Sequence, residues 1–168
     1  MRILHAIAGA EYGGAETYFV DLMKALHEAG LELKVVIRQN AERAATLREA
    51  GIEPVELAFG GYFDFTTRRA LVLEIAAFKP DVVQTWMNRA TRHMPRGEFV
   101  HVGWLGGYYK PRNFRHCHHV VGVTPGIVSH LRQNGGWPEE RSHYISTLAV
   151  CEPVDPLNRA EFATALSH

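Results

Sequence analysis

Two adjacent glycines and a glutamate follow an apolar run in the sequence RILHAIAGAEYGGAETYFVDLMKAL. The apolar run predicts a buried strand, and the residues behind it predict an amphipathic helix. Glycines at such a junction let the backbone approach a ligand, and the free N–H groups of a helix start favour phosphate. We therefore expect Gly13, Gly14 and Glu16 to lie beside a phosphate or a sugar. The alternative is a tight turn with a helix-start glutamate and nothing bound.

A second polar segment, WMNRATRHMPR, follows the predicted fourth strand. It combines an aromatic ring with an amide and guanidinium groups, which suit the hydroxyls or the phosphate of an acceptor molecule. The candidate acceptor contacts are Trp86, Asn88, Arg89 and Arg92. The alternative interpretation of this segment is a polar surface connection without a ligand.

A third segment, GWLGGYYKPRNFRH, follows the predicted fifth strand and carries two glycines, two tyrosines and several cations. Aromatic faces beside hydrogen-bond donors suit a sugar ring, which has an apolar C–H face and a rim of hydroxyls. The candidate acceptor contacts here are Gly106, Gly107, Tyr108, Tyr109 and Lys110. We expect Trp104, Tyr108 and Tyr109 to lie near a cleft rather than in the core. The alternative is a long surface loop whose cations lie along apolar surface.

The run RHCHH, from Arg115 to His119, places three histidines beside a cysteine, which are ligand types that zinc prefers. Adjacent residues of a strand point to opposite faces, however, and the spacing matches no zinc pattern. We therefore predict no metal site. No Ser-His-Asp or Cys-His relay can be assembled from the spacing of the histidines, so the catalytic residues stay unassigned.

Apolar runs rich in β-branched residues alternate with helical periodicity along the chain. The predicted strands are Arg2–Ala8, Leu33–Arg38, Pro54–Phe59, Asp81–Trp86, Phe99–Trp104 and His119–Thr124, with a short last strand in SHYIS. Thr66 or Thr67 is the expected N-cap of a middle helix, and Thr124 with Pro125 starts the last one. This pattern predicts one doubly wound α/β domain with a mainly parallel, Rossmann-like sheet covered on both faces. Ligands of such sheets bind at the carboxyl ends of the strands.

The composition sets limits on location and partners. The 168 residues contain 18 basic and 18 acidic side chains, so bulk charge does not predict a nucleic-acid partner. The two cysteines, Cys117 and Cys151, are far apart in sequence, which favours a reducing, cytoplasmic setting over a disulfide framework. No stretch is long and apolar enough to predict a transmembrane segment.

The order of these features resembles the N-terminal domain of retaining glycosyltransferases of the GT-B fold, in glycosyltransferase family 4. The resemblance rests on MRILHAIAGAEYGGAETYFVDLMKALHEAGLELKVVIR, on FKPDVVQTW and on HHVVGVTPGIVSHLRQNGGWPEERSHYIS. It covers roughly residues 1–150, and residues 151–168 would begin a linker toward a C-terminal donor domain. Two family features are missing: a histidine after the fifth strand, and an asparagine-glycine turn where this chain reads ISTLAVCEPVD.

The resemblance implies the acceptor-binding half of an enzyme that moves a sugar from a nucleotide sugar to a glycan or a lipid-linked acceptor. The nucleotide sugar would be a co-substrate, and no metal or other cofactor is implied. The Gly13-Gly14 loop would face the donor, and this half alone would be inactive. It also implies a cytoplasmic location, with peripheral attachment to the inner membrane as an option. The alternative is a stand-alone ligand-binding or interaction domain, which would self-associate through an exposed cleft face.

Overall fold

Seven parallel strands form one sheet in the computed structural model of the protein, which describes residues 1–61 and 64–147. The predicted linker over residues 151–168 lies outside the described residues. The strands are β1 (Arg2–Ile7), β2 (Glu32–Arg38), β3 (Val55–Leu57), β4 (Val82–Trp86), β5 (Val100–Leu105), β6 (His119–Gly122) and β7 (Ser142–Tyr144). Their order in the sheet is β3-β2-β1-β4-β5-β6-β7, with every pairing parallel. The predicted doubly wound α/β fold is confirmed.

Five helices connect the strands within the described ranges. They are α1 (Gly14–Glu28), α2 (Ala41–Glu49), α3 (Phe65–Phe78), α4 (Met87–His93) and α5 (Pro125–Gly135). Short 3₁₀ turns at Pro111–Phe114 and Glu139–Arg141 complete the connections. None of the helices in the described ranges is long and apolar enough to cross a membrane.

The helix starts show how local side chains set the element boundaries. Thr124 caps α5 as predicted, its hydroxyl oxygen accepting from the Ile127 N–H at 3.2 Å. The prediction of Thr66 or Thr67 as the cap of α3 is wrong, because Asp64 holds that position and accepts from the Thr67 N–H at 2.9 Å. A carboxylate has two oxygens, so Asp64 also accepts from the Gly60 N–H and from the Thr66 hydroxyl, which a single threonine cannot do.

The polar segment after β4 begins as a helix, which the sequence analysis did not predict. The chain turns from strand to helix without a connecting residue, since β4 ends at Trp86 and α4 begins at Met87. Met87 has a φ of 60°, a left-handed conformation that costs a residue with a Cβ about 1–2 kcal/mol. The abrupt turn directs the polar side chains of α4 toward the carboxyl edge of the sheet.

The core lies on both faces of the sheet, and alternate residues of β1 supply both halves. Ile7 packs with Phe19 and Met23 of α1 on one face. Leu4 and Ala6 pack on the other face with Leu71 of α3 and Val83 of β4. Fully burying one such leucine, isoleucine or phenylalanine stabilises the fold by about 1.5–3 kcal/mol. The two-sided burial explains why the strands read as continuous apolar runs.

Candidate functional site

The carboxyl edge of the sheet carries the candidate site. From β1 the chain moves to β2 and β3 on one side and then crosses back to β4 on the other. This reversal places a topological switch point between β1 and β4, where α/β sheets open a crevice for ligands. Two structures stand at this edge: the β1–α1 loop, which we define as residues 8–13, and a cleft beside α4.

Glu16 lies in the first turn of α1, as predicted, but its carboxylate points back into the β1–α1 loop. The side chain is buried, and its Oε1 accepts from the Ala10 N–H at 2.7 Å. A Cβ on Gly9 or Gly13 would overlap this carboxylate, whereas a Cβ on Gly14 would meet nothing within 4 Å. The space beside Gly13 therefore belongs to Glu16, and the space beside Gly14 is open to a ligand.

Arg43 holds the same loop from its other side, and the sequence interpretation missed it. Its Nη2 donates to the Ala10 carbonyl at 2.9 Å and to the Glu11 carbonyl at 3.1 Å. Asn40, the N-cap of α2, donates to the Glu11 carbonyl at 3.2 Å. Burial lowers the pKa of Arg43, and the nearby Glu16 and Glu42 carboxylates oppose that shift. A cavity of about 520 Å³ opens between the loop and the start of α2.

The larger cavity, of about 1240 Å³, is lined by side chains from β2, α3, α4 and the segment before β6. We call it the arginine cleft, because seven arginines line it. They are Arg38, Arg68, Arg89, Arg92, Arg96, Arg112 and Arg115. Asp64 supplies the one carboxylate among the described residues that line the cleft.

Three of the predicted acceptor residues, Asn88, Arg89 and Arg92, line the arginine cleft together. The Asn113 Nδ2 donates to the Asn88 Oδ1 at 2.7 Å, which ties α4 to the 3₁₀ turn before β6. Sequence reasoning missed Arg68 and Arg38, because nothing in their local pattern indicates that the start of α3 and the end of β2 lie beside α4.

The predicted contacts Gly106, Gly107, Tyr108, Tyr109 and Lys110 do not line the arginine cleft. Tyr108 is 68% exposed, and its ring meets the edge of His130 of α5 at a centroid distance of 5.5 Å. Tyr109 is half-buried against Phe114, and burial, with a contribution from the Glu16 charge, raises its pKa. The segment after β5 is therefore divided: Gly106–Lys110 lies apart from the arginine cleft, whereas its end, from Arg112 to His116, lines the cleft beside α4.

Trp86 and Trp104 lie in the core, which corrects two predictions. Trp86 has no exposed surface and Trp104 is 4% exposed, so the Trp86 ring offers no face to an acceptor. They are register partners on the central strands β4 and β5, and their ring centroids are 4.5 Å apart beneath α1. The Trp86 Nε1 donates to His5 Nδ1 at 3.3 Å, which satisfies the buried indole.

The side chains of the RHCHH run take separate partners. His116 faces Arg96 at 2.6 Å, and His118 Nδ1 accepts from the His101 N–H at 2.8 Å. His119 contacts His143 at 3.1 Å. Cys117 is buried in apolar surroundings, which raises the pKa of its thiol to about 12. Over residues 1–61 and 64–147 no three histidine, cysteine or acidic side chains are grouped so that they could hold a metal.

Comparison with known proteins agrees with this architecture. The sequence model of Glycosyltransferase Family 4 matches residues 12–148. Two lipopolysaccharide core biosynthesis glycosyltransferases of Rhizobium meliloti (strain 1021), LpsD and LpsE, are 29% and 33% identical to the chain. Each alignment covers 98% of this chain and 48% of the relative. The chain thus spans about half the length of these curated relatives.

Solved structures show the same fold. A glycosyltransferase from Rickettsia africae matches with a TM-score of 0.75 at 16% identity, over 99% of this chain and 49% of the other. Anabaena HepE, solved in complex with UDP-glucose, matches with a TM-score of 0.70 at 13% identity, over 99% of this chain and 50% of the other. The fold of this chain therefore corresponds to about half of each of these two structures.

Proposed function

The chain belongs to glycosyltransferase family 4, and on that premise we propose that it is the acceptor-side half of an enzyme of lipopolysaccharide core synthesis. The reaction transfers a sugar from a nucleotide sugar to a glycan or a lipid-linked acceptor. The observation that carries the proposal is the family match over residues 12–148, supported by relatives named for lipopolysaccharide core synthesis. HepE, a structure with the same fold, was solved with UDP-glucose, which supports a uridine diphosphate sugar as the donor class.

In this proposal the β1–α1 loop faces the donor. Gly14 opens to empty space at the start of α1, where main-chain N–H groups and the helix dipole stabilise a phosphate or a developing negative charge. Glu16 and Arg43 contact no donor; they hold the loop in place. A loop that is already ordered loses little entropy when it binds the transition state.

The acceptor side consists of Asn88, Arg89 and Arg92 in the arginine cleft, with Gly106–Lys110 as a separate contact region. Among the aromatic residues that the sequence predicted as acceptor contacts, Tyr108 is the exposed one, since Trp86 lies in the core and Tyr109 is half-buried. The enzyme works in the cytoplasm, where nucleotide sugars are made, with peripheral contact to the inner membrane that carries its acceptor.

The experiment compares two proteins with UDP-glucose and other nucleotide sugars, using lipopolysaccharide core oligosaccharides as acceptors. One is the 168-residue chain. The other, which we call the donor-complete enzyme, joins this chain to the C-terminal half of the LpsD relative. We expect turnover from the donor-complete enzyme and none above a blank from the chain alone. Turnover from the chain alone, or none from a folded donor-complete enzyme that binds UDP-glucose, contradicts the proposal.

A binding domain without catalysis is the second candidate, and the arginine cleft is the observation that favours it. Such a domain would bind an anionic glycan with the same affinity whether or not a donor half is joined to it. Binding without turnover in the same comparison would support this alternative.

A further inference from the structure

We propose that the arginine cleft binds an anionic acceptor, namely a saccharide that carries carboxylate or phosphate groups. The inference rests on the proposed function and specifies the substrate class for its acceptor side. It follows from three observations. Arginine charges converge on the cleft, the six arginines other than Arg92 have no carboxylate partner among the described residues, and the cavity is large.

Like charges from distant parts of the chain converge on the cleft. Arg38 ends β2, Arg68 lies in α3, and Arg89 lies in α4. Arg112 and Arg115 come from the segment before β6. Guanidinium groups that share one cavity repel each other, so their convergence destabilises the free protein. A bound anion reverses the sign of that interaction.

Six of the cleft arginines, all except Arg92, also differ from arginines elsewhere in the protein because they have no carboxylate partner among the described residues. In the part of the chain that the structure describes, none of the six cleft arginines other than Arg92 forms an ion pair with a carboxylate. Arginines elsewhere do, since Arg48 pairs with Glu53 and Glu56 at 3.0 Å, and Arg132 lies 3.5 Å from Glu139.

The single cleft carboxylate, Asp64, is committed to the start of α3. Its oxygens accept from the Gly60 and Thr67 N–H groups and from the Thr66 hydroxyl. These hydrogen bonds hold the pKa of Asp64 well below its usual range. His116 supplies no negative charge, since an imidazole is either neutral or cationic. Burial and the neighbouring Arg96, Arg115 and Arg68 lower its pKa, which disfavours a further positive charge in the cleft.

The shape of the guanidinium groups and the size of the cavity also fit an anionic saccharide. A guanidinium group offers a planar fork of donors that matches the two oxygens of a carboxylate or phosphate, and a neutral sugar has no such group. The cavity of about 1240 Å³ exceeds the ~1,000 Å³ upper end of ordinary small-molecule pockets, so it suits several sugar units. Asn88 and Asn113 keep amide groups in the cleft wall that can bond to hydroxyls.

The test is calorimetric titration of the 168-residue chain with three probes at low ionic strength. Trigalacturonate supplies carboxylates, maltose phosphate supplies a phosphate, and maltotriose is neutral. We expect at least one anionic probe to bind and maltotriose to show no heat at the same concentration. The anion that binds identifies the charged group of the acceptor. Equal binding of maltotriose, or no binding by either anion, overturns the inference.

The matched variants locate the binding. Combining Arg68→Gln with Arg115→Gln should lower the affinity for the anionic probe about tenfold, the scale of losing charge-assisted hydrogen bonds. Arg69→Gln is the control, because Arg69 is exposed on the same helix and does not line the cleft. Circular dichroism checks that each variant is folded. An equal loss in Arg69→Gln would mean that binding follows net charge only, which overturns the inference.

The donor-complete enzyme separates this inference from the proposed function. Transfer to neutral acceptors as fast as to anionic ones, unaffected by the cleft variants, overturns the inference and leaves the proposed function standing. Cleft-dependent anion binding without any transfer supports the inference and contradicts the proposed function.

Discussion

The β1–α1 loop and the arginine cleft occupy the same edge of one sheet and use charged side chains in opposite ways. In the loop, Glu16 accepts from a main-chain N–H and Arg43 donates to main-chain carbonyls. Both side chains are buried, so their charges contact main-chain groups of the protein rather than a ligand. In the cleft, Arg68, Arg89 and Arg112 are exposed and make no ion pair with a described carboxylate. Satisfied charges fix geometry, whereas unneutralised charges indicate a ligand.

The largest expected effect is a loss of stability in acid, which acts through buried histidines and leaves the charge of the cleft arginines unchanged. His5, in β1 beneath the loop, and His101, in β5, are buried neutral, and burial lowers the pKa of each to about 4 from 6.5. Above pH 6.5 both histidines are mostly neutral in the unfolded chain as well as in the folded protein, so they do not lower the free energy of unfolding. As the pH falls from about 6.5 to 4, the unfolded chain takes up protons that the folded protein refuses, so each histidine removes about 3 kcal/mol from the free energy of unfolding. Arginines keep their charge over this range.

Urea unfolding at several pH values measures this loss, and the comparison with His5→Gln isolates the share of one histidine. His27→Gln is the matched control, because His27 is exposed on α1. The variant His5→Gln should show a shallower pH dependence, and His27→Gln should follow the wild type. Identical pH slopes in all three proteins would contradict the assignment.

The second prediction tests whether the loop depends on its internal charge. Glu16→Ala removes the acceptor of the Ala10 N–H and one of the two carboxylates near the buried Arg43, so the free energy of unfolding should fall by about 3 kcal/mol. Glu16→Gln keeps an acceptor oxygen and should lose about 1 kcal/mol. Urea unfolding gives both values. If Arg89→Ala in the cleft costs as much as Glu16→Ala, the contrast between the two regions fails.

The third prediction concerns the open space at Gly14. In the donor-complete enzyme, Gly14→Val should lower turnover about a hundredfold, the scale of losing one positioned electrostatic donor. The thermal unfolding temperature should change little, because a Cβ at this position meets no atom of the protein within 4 Å. Gly13→Ala should instead destabilise the fold, since its Cβ overlaps Glu16. Unchanged turnover in Gly14→Val would assign these glycines to the turn alone.

The smallest expected effect is on the stability of the cleft. Arg68→Gln combined with Arg115→Gln should raise the free energy of unfolding by about 0.5 kcal/mol, because like charges are removed and no ion pair is lost. Arg69→Gln should leave it unchanged. Loss of stability in the double variant, measured in urea at low salt, would show that the cleft arginines support the fold.

Sequence patterns predicted the fold and the loop better than they predicted the cleft. Strand and helix periodicity is local, so the parallel sheet and the position of Glu16 in the first turn of α1 follow from neighbouring residues. The direction of the Glu16 carboxylate depends on its fit against Gly9 and Gly13, which spacing does not reveal. Arg89 and Arg92 were predicted as site residues because they share a segment. Arg38 and Arg68 join them only through tertiary contact.

The two tryptophans were predicted to lie near a ligand and are instead buried. Trp86 and Trp104 were expected to serve binding because each stands where a predicted strand ends. The alternation of strand faces decides the matter: both rings point to the face that α1 covers, and Phe19 packs edge-on against Trp86 at 5.2 Å. A residue at a strand end is accessible only if no helix covers its face, and that depends on the packing of the whole sheet.

The two adjacent, tilted indoles of Trp86 and Trp104 also give the protein an optical signature. Their centroids are 4.5 Å apart and their planes are inclined by 36°, so their electronic transitions couple and share excitation. The circular dichroism spectrum should therefore contain a paired band of opposite signs that disappears when β4 and β5 separate. Since the chain has three tryptophans in all, this band reports the centre of the sheet directly, without a label.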